Sequence, residues 1–266
     1  MGKMQEALRR AEEDRARRGP SARPEERDAP RAVSGASFGT GLATSVAISS
    51  GPRLTDVDPH LVALTDPKSE FAEQYRTLRT NLLSISAEAP PKVFVVTSAA
   101  HGEGTSVTTV NLACSFAEET GKRVVVVDAD MRKPRLHKLL GIDNQRGLAD
   151  YLSGGTMIEM VVQRSRLPNL WAVPAGRVPA NPAELLGGRG MDDLLARLRR
   201  DYDHVVIDAP PVNGTMDAAV LAPRADASLL VVRMETTARN TALRAVELLR
   251  KSGAKFVGTV LTGVTG

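Results

Sequence analysis

Three clusters of residues in this chain have the types and spacing to do chemistry. The first is Ser98-Ala99-Ala100-His101-Gly102-Glu103-Gly104-Thr105-Ser106-Val107, lying between a valine-rich run and a stretch of helical character. A glycine-rich turn between a strand and a helix aims backbone N–H groups at one centre, and the helix N-terminus adds positive potential. Gly102, Glu103, Gly104, Thr105, Ser106 and Val107 therefore form a candidate phosphate cradle, although a G-x-G turn alone also fits a plain tight connection. The second cluster, Asp128-Ala129-Asp130, closes one apolar run, and Asp208 closes another. Carboxylates at the mouths of buried strands are costly unless they meet a cation, and two at i, i+2 point the same way in extended chain. Ser106, Asp128 and Asp208 together make a hard-oxygen set suited to Mg²⁺.

A standard P-loop carries lysine where this chain has Thr105, and the deviant form places an earlier lysine where this chain has Ala100. A unit charge about 4 Å from a phosphate oxygen contributes about 4 kcal/mol at an effective dielectric of about 20, as an upper figure. Losing half of that in the transition state slows phosphoryl transfer about tenfold or more. Nucleotide binding can outlast such a loss better than efficient chemistry can.

These loops need a scaffold that brings strand ends together. Val93 to Thr97, Val124 to Asp128, Leu170 to Pro174, Val205 to Asp208, Ser228 to Arg233 and Phe256 to Leu261 are short apolar runs rich in β-branched residues. Such runs suit strands buried on both faces. Helical segments at Ser106 to Thr120, Gly190 to Asp201, Met216 to Ala222 and Ala238 to Ser252 separate several of them. The alternation predicts an α/β fold, a doubly wound, mostly parallel sheet with helices on both faces and ligands at the strands' carboxyl ends. Upstream, Phe71, Tyr75, Leu78, Leu82 and Ile85 fall at helical spacing, with Glu73, Arg76 and Arg79 off that stripe. Order is expected to begin near Asp66, dividing the chain into 1–65 and 66–266. Met1 to Arg18 carries a weak helical stripe, and Gly19 to about Pro59 has the Pro/Gly/Ser-rich composition of a disordered linker.

Composition excludes several classes of function. The 266 residues hold 35 Lys+Arg against 31 Asp+Glu and one cysteine, which rules out an internal disulfide framework and a four-cysteine zinc site. Cys114 reads as a small core residue, and Trp171 as part of a strand. His101, His137 and His204 lack the local pairing of a zinc site. Nine aromatic residues and interleaved charges argue against a nucleic-acid partner. No apolar run reaches the roughly 18 to 20 residues of a transmembrane segment, and no secretory signal is readable. A cytoplasmic location is expected, with any membrane attachment supplied by a partner.

The chain resembles the cytoplasmic domain of the bacterial tyrosine kinases (BY-kinases) of capsule and exopolysaccharide assembly, a branch of the MinD/ParA-type P-loop ATPases. The resemblance rests on Glu73-x-x-Arg76-x-x-Arg79 before Thr80-Asn81-Leu82, on Gly102-Glu103-Gly104-x-Ser106, and on Val127-Asp128-Ala129-Asp130-Met131-Arg132-Lys133-Pro134 with His137. It continues through Gly147-Leu148-Ala149-Asp150-Tyr151-Leu152, Pro174-Ala175-Gly176, Asn181-Pro182-Ala183-Glu184-Leu185-Leu186, and Tyr202-Asp203 to Asp208-Ala209-Pro210-Pro211. It implies that Ser106, Asp128 and Asp208 hold Mg²⁺ with ATP or ADP, that Asp130 accepts the tyrosyl proton, and that Glu73, Arg76 and Arg79 join subunits into a homo-oligomeric ring. It implies docking on the cytoplasmic tail of an inner-membrane polysaccharide co-polymerase, and an approach of Arg233 to the nucleotide.

Three departures accompany the likeness. Thr105 replaces the catalytic lysine, and Thr262 stands where relatives often carry an adenine-facing Asn. The tyrosine-rich tail of the family is missing before Gly266, and Tyr75, Tyr151 and Tyr202 all lie in predicted core elements. The expected function is a catalytically weakened or inactive regulator or scaffold. The alternatives are an active kinase in which Arg132, Lys133 or a neighbouring subunit's basic group replaces the lost charge, and a MinD/ParA-like positioning ATPase.

Overall fold

The computed structural model describes residues 58–86 and 88–263. The sequence-predicted helix and most of the predicted linker lie outside them. Seven strands form one sheet: β1 (Val93–Ser98), β2 (Val124–Asp128), β3 (Gln163–Arg164), β4 (Leu170–Val173), β5 (His204–Asp208), β6 (Ala227–Arg233) and β7 (Phe256–Thr262). Their order is β3-β4-β2-β5-β1-β6-β7, parallel throughout except for β3, which runs antiparallel to β4. Every residue of β1, β2 and β5 is buried, as continuous valine-rich runs require when both faces are covered. Each such valine contributes about 1.5–3 kcal/mol by leaving water.

Alternation along the strands feeds two cores. Phe94, Val96, Val124, Val126 and Val206 pack against α1 (Val62–Thr65), α2 (Glu70–Leu83), α3 (Thr105–Ala117) and α4 (Leu136–Leu140). Val93, Val95, Val125, Val127, Val205 and Ile207 meet α5 (Leu148–Leu152), α6 (Pro182–Gly187), α7 (Arg189–Asp201), α8 (Asp217–Leu221) and α9 (Arg239–Lys251). The fold is thus the doubly wound P-loop architecture expected. Among the described residues no helix is long and apolar enough to cross a membrane.

Two expectations shift. Folded structure begins by Asp58 rather than near Asp66: Leu61 is fully buried, and Asn111 of α3 accepts from the Ala63 amide at 3.0 Å and donates to the His60 carbonyl at 3.0 Å. The apolar stripe of α2 is rotated, because Ala72 and Leu82 are its buried residues while Phe71 is 56% exposed and Ile85 is 49% exposed. Spacing from Ala72 carries Tyr75, Leu78 and Leu82 inward, and Phe71 lies one residue out of phase with that face.

Candidate functional site

β1 and β2 are separated by β5 in the sheet, so the chain crosses over after β1 through α3, and the loop at the top of β1 faces the ends of β5 and β2. Gly102 (φ 85°) and Gly104 (φ 88°) both adopt the left-handed region, where a side chain is strained, and α3 starts directly after Gly104. Ser106 and Thr105 thus occupy its first turn, at the positive end of a 13-residue helix. Glu103, whose backbone belongs to the candidate cradle, turns its side chain into the protein and is 3% exposed. Its Oε2 accepts from the amides of Ala99 (2.7 Å) and Ala100 (3.0 Å), and its Oε1 accepts from the Thr237 hydroxyl. The Thr262 hydroxyl donates to the Glu103 carbonyl at 2.7 Å, and Arg233 Nη1 donates to the Gly102 carbonyl at 3.3 Å. Asn213 ties the Ala99 carbonyl (3.0 Å) to that of Thr241 (2.9 Å).

The loop is therefore braced from β6, β7 and the turns after β5 and β6. Thr262 braces the loop backbone, and Arg233 contacts the Gly102 carbonyl of the loop. Thr237, Asn213 and the bracing role of Thr262 carry no local sequence signal, because each acts on a segment remote in the chain. A cleft of about 250 Å³ runs beside the loop along His101, Gly102, Thr236 and Thr241.

Asp128 and Asp208 are direct cross-strand partners at the ends of β2 and β5, and they are 0% and 1% exposed. Asp128 Oδ2 accepts from the amides of Arg135 and Leu136, each at 3.1 Å, while Oδ1 has no hydrogen-bond partner. Asp208 Oδ1 accepts from the Thr109 hydroxyl at 3.3 Å, the Ser106 hydroxyl also faces this carboxylate, and Oδ2 has no partner. Burial pushes the Asp208 carboxyl up to about 7, reinforced by the Asp130 charge and opposed by the two hydroxyls. Asp128 is raised well above the ordinary range by burial and by the Asp208 charge. Two buried carboxylates side by side, each with a free oxygen, form an incomplete cation site, and Ser106 supplies a hydroxyl beside them. Ser106, Asp128 and Asp208 are thus the residues whose donor chemistry fits Mg²⁺. Among the described residues no group of three or more His, Cys, Asp or Glu is arranged to hold a metal unaided.

Asp130 does not share the direction of Asp128 in an extended strand, because β2 has ended. It is half-buried, and its Oδ1 accepts from the Lys133 amide at 3.0 Å. Arg132 is committed to Asp217, a fully buried carboxylate, through Nε (2.7 Å) and Nη2 (3.1 Å). Glu73, Arg76 and Arg79 sit far from these acids in the fold's element order, on α2 against the end of α3. Arg76 grips Glu118 at 2.7 and 3.0 Å and Glu73 at 2.9 Å, and Arg79 pairs with Glu119 at 3.3 Å. None of the three tyrosines is exposed: the Tyr75 hydroxyl faces Thr108 and Asn111, and Tyr202 packs edge-on to Trp171. His101, His137 and His204 lie in the loop, in α4 and in β5, so they form no common site.

A family description of an AAA domain matches residues 91–255. The tyrosine-protein kinase YwqD of Bacillus subtilis is 39% identical over 204 residues, covering 77% of this chain and 86% of that protein. The putative tyrosine-protein kinase EpsB of Ralstonia solanacearum is 37% identical, with 77% of this chain matching 27% of that longer protein. Among solved structures, the kinase domain of Escherichia coli tyrosine kinase ETK superposes with a TM-score of 0.75 at 29% identity, covering 82% of this chain and 84% of that one. The septum site-determining protein MinD of Pyrococcus horikoshii, at 24% identity and a TM-score of 0.55, shares the fold. The glycine loop, the paired acids at the ends of β2 and β5, and these relatives together show that the chain belongs to the bacterial tyrosine-protein kinases, built on the P-loop ATPase fold.

Proposed function

We propose that this chain binds Mg²⁺-ATP or Mg²⁺-ADP at the braced glycine loop, transfers phosphate weakly or not at all, and works as a regulator or scaffold in capsule or exopolysaccharide assembly. The observation that carries this reading is the retained Asp128–Asp208 pair, each acid holding a free buried oxygen, beside a loop whose lysine position is Thr105. A bound Mg²⁺ would screen the phosphate charge and polarise the terminal phosphoryl group. The chain's own part is to hold the phosphates against the amides of Gly102 to Val107 and to present Asp130, whose partner is a backbone amide, as the acceptor for a phenolic proton. Thr105 offers that transfer a hydroxyl in place of a cation.

Names borne by relatives support the setting: CapB of Staphylococcus aureus is a putative tyrosine-protein kinase, and another relative lies in the cps region of Klebsiella pneumoniae. On this reading the protein is cytoplasmic, docks on the cytoplasmic tail of a membrane polysaccharide co-polymerase, and self-associates through the Glu73–Arg79 face of α2. The half-exposed Asp130 also supports a second reading, an active kinase acting on other proteins.

Calorimetric titration of the full chain with ATP and ADP, with and without Mg²⁺, tests the binding step. Saturable binding that requires Mg²⁺, and that loses this requirement in Asp128→Asn, is expected. No heat of binding for either nucleotide at millimolar concentration would overturn the reading.

A further inference from the structure

With Thr105 in the lysine position, the phosphate cradle has no cation of its own, although two buried acids lie beneath it. Four basic side chains stand around its mouth. Arg132 is held on both oxygens of buried Asp217. Arg233 is spent on the Gly102 carbonyl on the flank of the loop. Lys133 follows the outward Asp130, to which its amide is bonded, and lies on an exposed turn. Arg135 differs from all three. Its backbone amide donates to Asp128 Oδ2 at 3.1 Å, so its backbone is anchored on one acid of the pair. Its side chain is exposed, and its guanidinium makes no hydrogen bond or ion pair among the described residues. Its positive charge is felt at Asp208, across the pair, where it favours the carboxylate.

We infer that Arg135 stands in for the missing P-loop lysine, swinging its free guanidinium over the mouth of the Asp128–Asp208 pair onto the terminal phosphates of a bound nucleotide. This rests on the nucleotide-binding reading above. A guanidinium presents a planar fork of donors that matches phosphate oxygens, which makes it a competent substitute in binding. It enters from the loop after β2 rather than from the first turn of α3, so it reaches the phosphates from the opposite wall. The charge is conserved while its position is changed, and Arg135 is a binding and positioning residue rather than a proton carrier.

A double-mutant cycle with position 105 separates this role from a structural one. Calorimetry with Mg²⁺-ATP is run on the full-length wild type, Arg135→Ala, Arg135→Lys, Lys133→Ala, Thr105→Lys and the Thr105→Lys/Arg135→Ala double variant. Arg135→Ala is expected to weaken Mg²⁺-ATP about tenfold, Arg135→Lys, which keeps the charge but not the fork, by less than that, and Lys133→Ala no more than about threefold. In the Thr105→Lys background the same Arg135→Ala change is expected to cost less than about twofold, because the restored lysine supplies the charge. Equal losses in both backgrounds, or no loss from Arg135→Ala in the wild type, would overturn the inference while leaving nucleotide binding intact. Absence of Mg²⁺-ATP binding by the wild type would remove the nucleotide reading itself, and this inference with it.

Discussion

Asp208 sits at the end of a fully buried strand with one carboxylate oxygen unpartnered, beside a second acid in the same condition. A carboxyl raised from its ordinary value to about 7 in the folded protein is protonated there at pH values where the unfolded chain is already ionised. The folded state then binds more protons than the unfolded state between about pH 4 and 7, so stability falls as pH rises through that window. Asp208→Asn is expected to raise the stability of the metal-free protein by roughly 1–3 kcal/mol at pH 8, with the gain shrinking toward pH 4. Urea denaturation of both proteins across that range measures it. A stability gain that is flat with pH would show that the Asp208 charge is not what strains the fold. The same carboxylates are the reason the site takes a divalent cation, so what weakens the empty fold equips it for nucleotide.

At the scale of elements, a backbone contact joins two turns that lie apart in the sequence. The turn entering α5 lies against the turn leaving β4: the Leu148 amide donates to the Pro174 carbonyl at 2.8 Å, and the Ala149 amide to the Ala175 carbonyl at 2.9 Å. A Cβ on Gly147 would stand 2.2 Å from the Pro174 carbonyl oxygen and 2.3 Å from the Gly176 nitrogen, both backbone atoms that cannot step aside. Gly147→Ala is therefore expected to cost about 1–3 kcal/mol or more. Gly258→Ala on β7, where a Cβ meets open space, is expected to change stability little. Thermal melts of the pair check this, and equal melting temperatures would mean that the two turns can separate freely. The glycines of both turns are visible in sequence as parts of separate motifs, but their mutual contact is not. It depends on β4 and α5 being brought side by side by the sheet.

For the whole molecule, legibility follows how local each determinant is. The central strands can be read from valine runs because both of their faces are covered, and the glycine loop because its φ > 0 positions demand glycine. Gln163–Arg164 cannot be read, since two polar residues pair only because β4 offers an edge. The inward turn of Glu103 is equally hidden, because its partner Thr237 arrives from the far end of the chain. The acids at 128 and 208 are legible one by one, while their pairing waits on β5 inserting between β1 and β2.

The central claim is that this assembled site holds nucleotide but lacks the lysine in the first turn of α3 that drives transfer. It is tested most directly by the single-turnover rate of phosphate transfer or release from Mg²⁺-ATP, measured at saturation for the wild type and for Thr105→Lys. The expected result is a rate at least about tenfold higher in Thr105→Lys. A wild-type rate equal to that of the lysine variant would contradict the claim and make the protein a competent kinase.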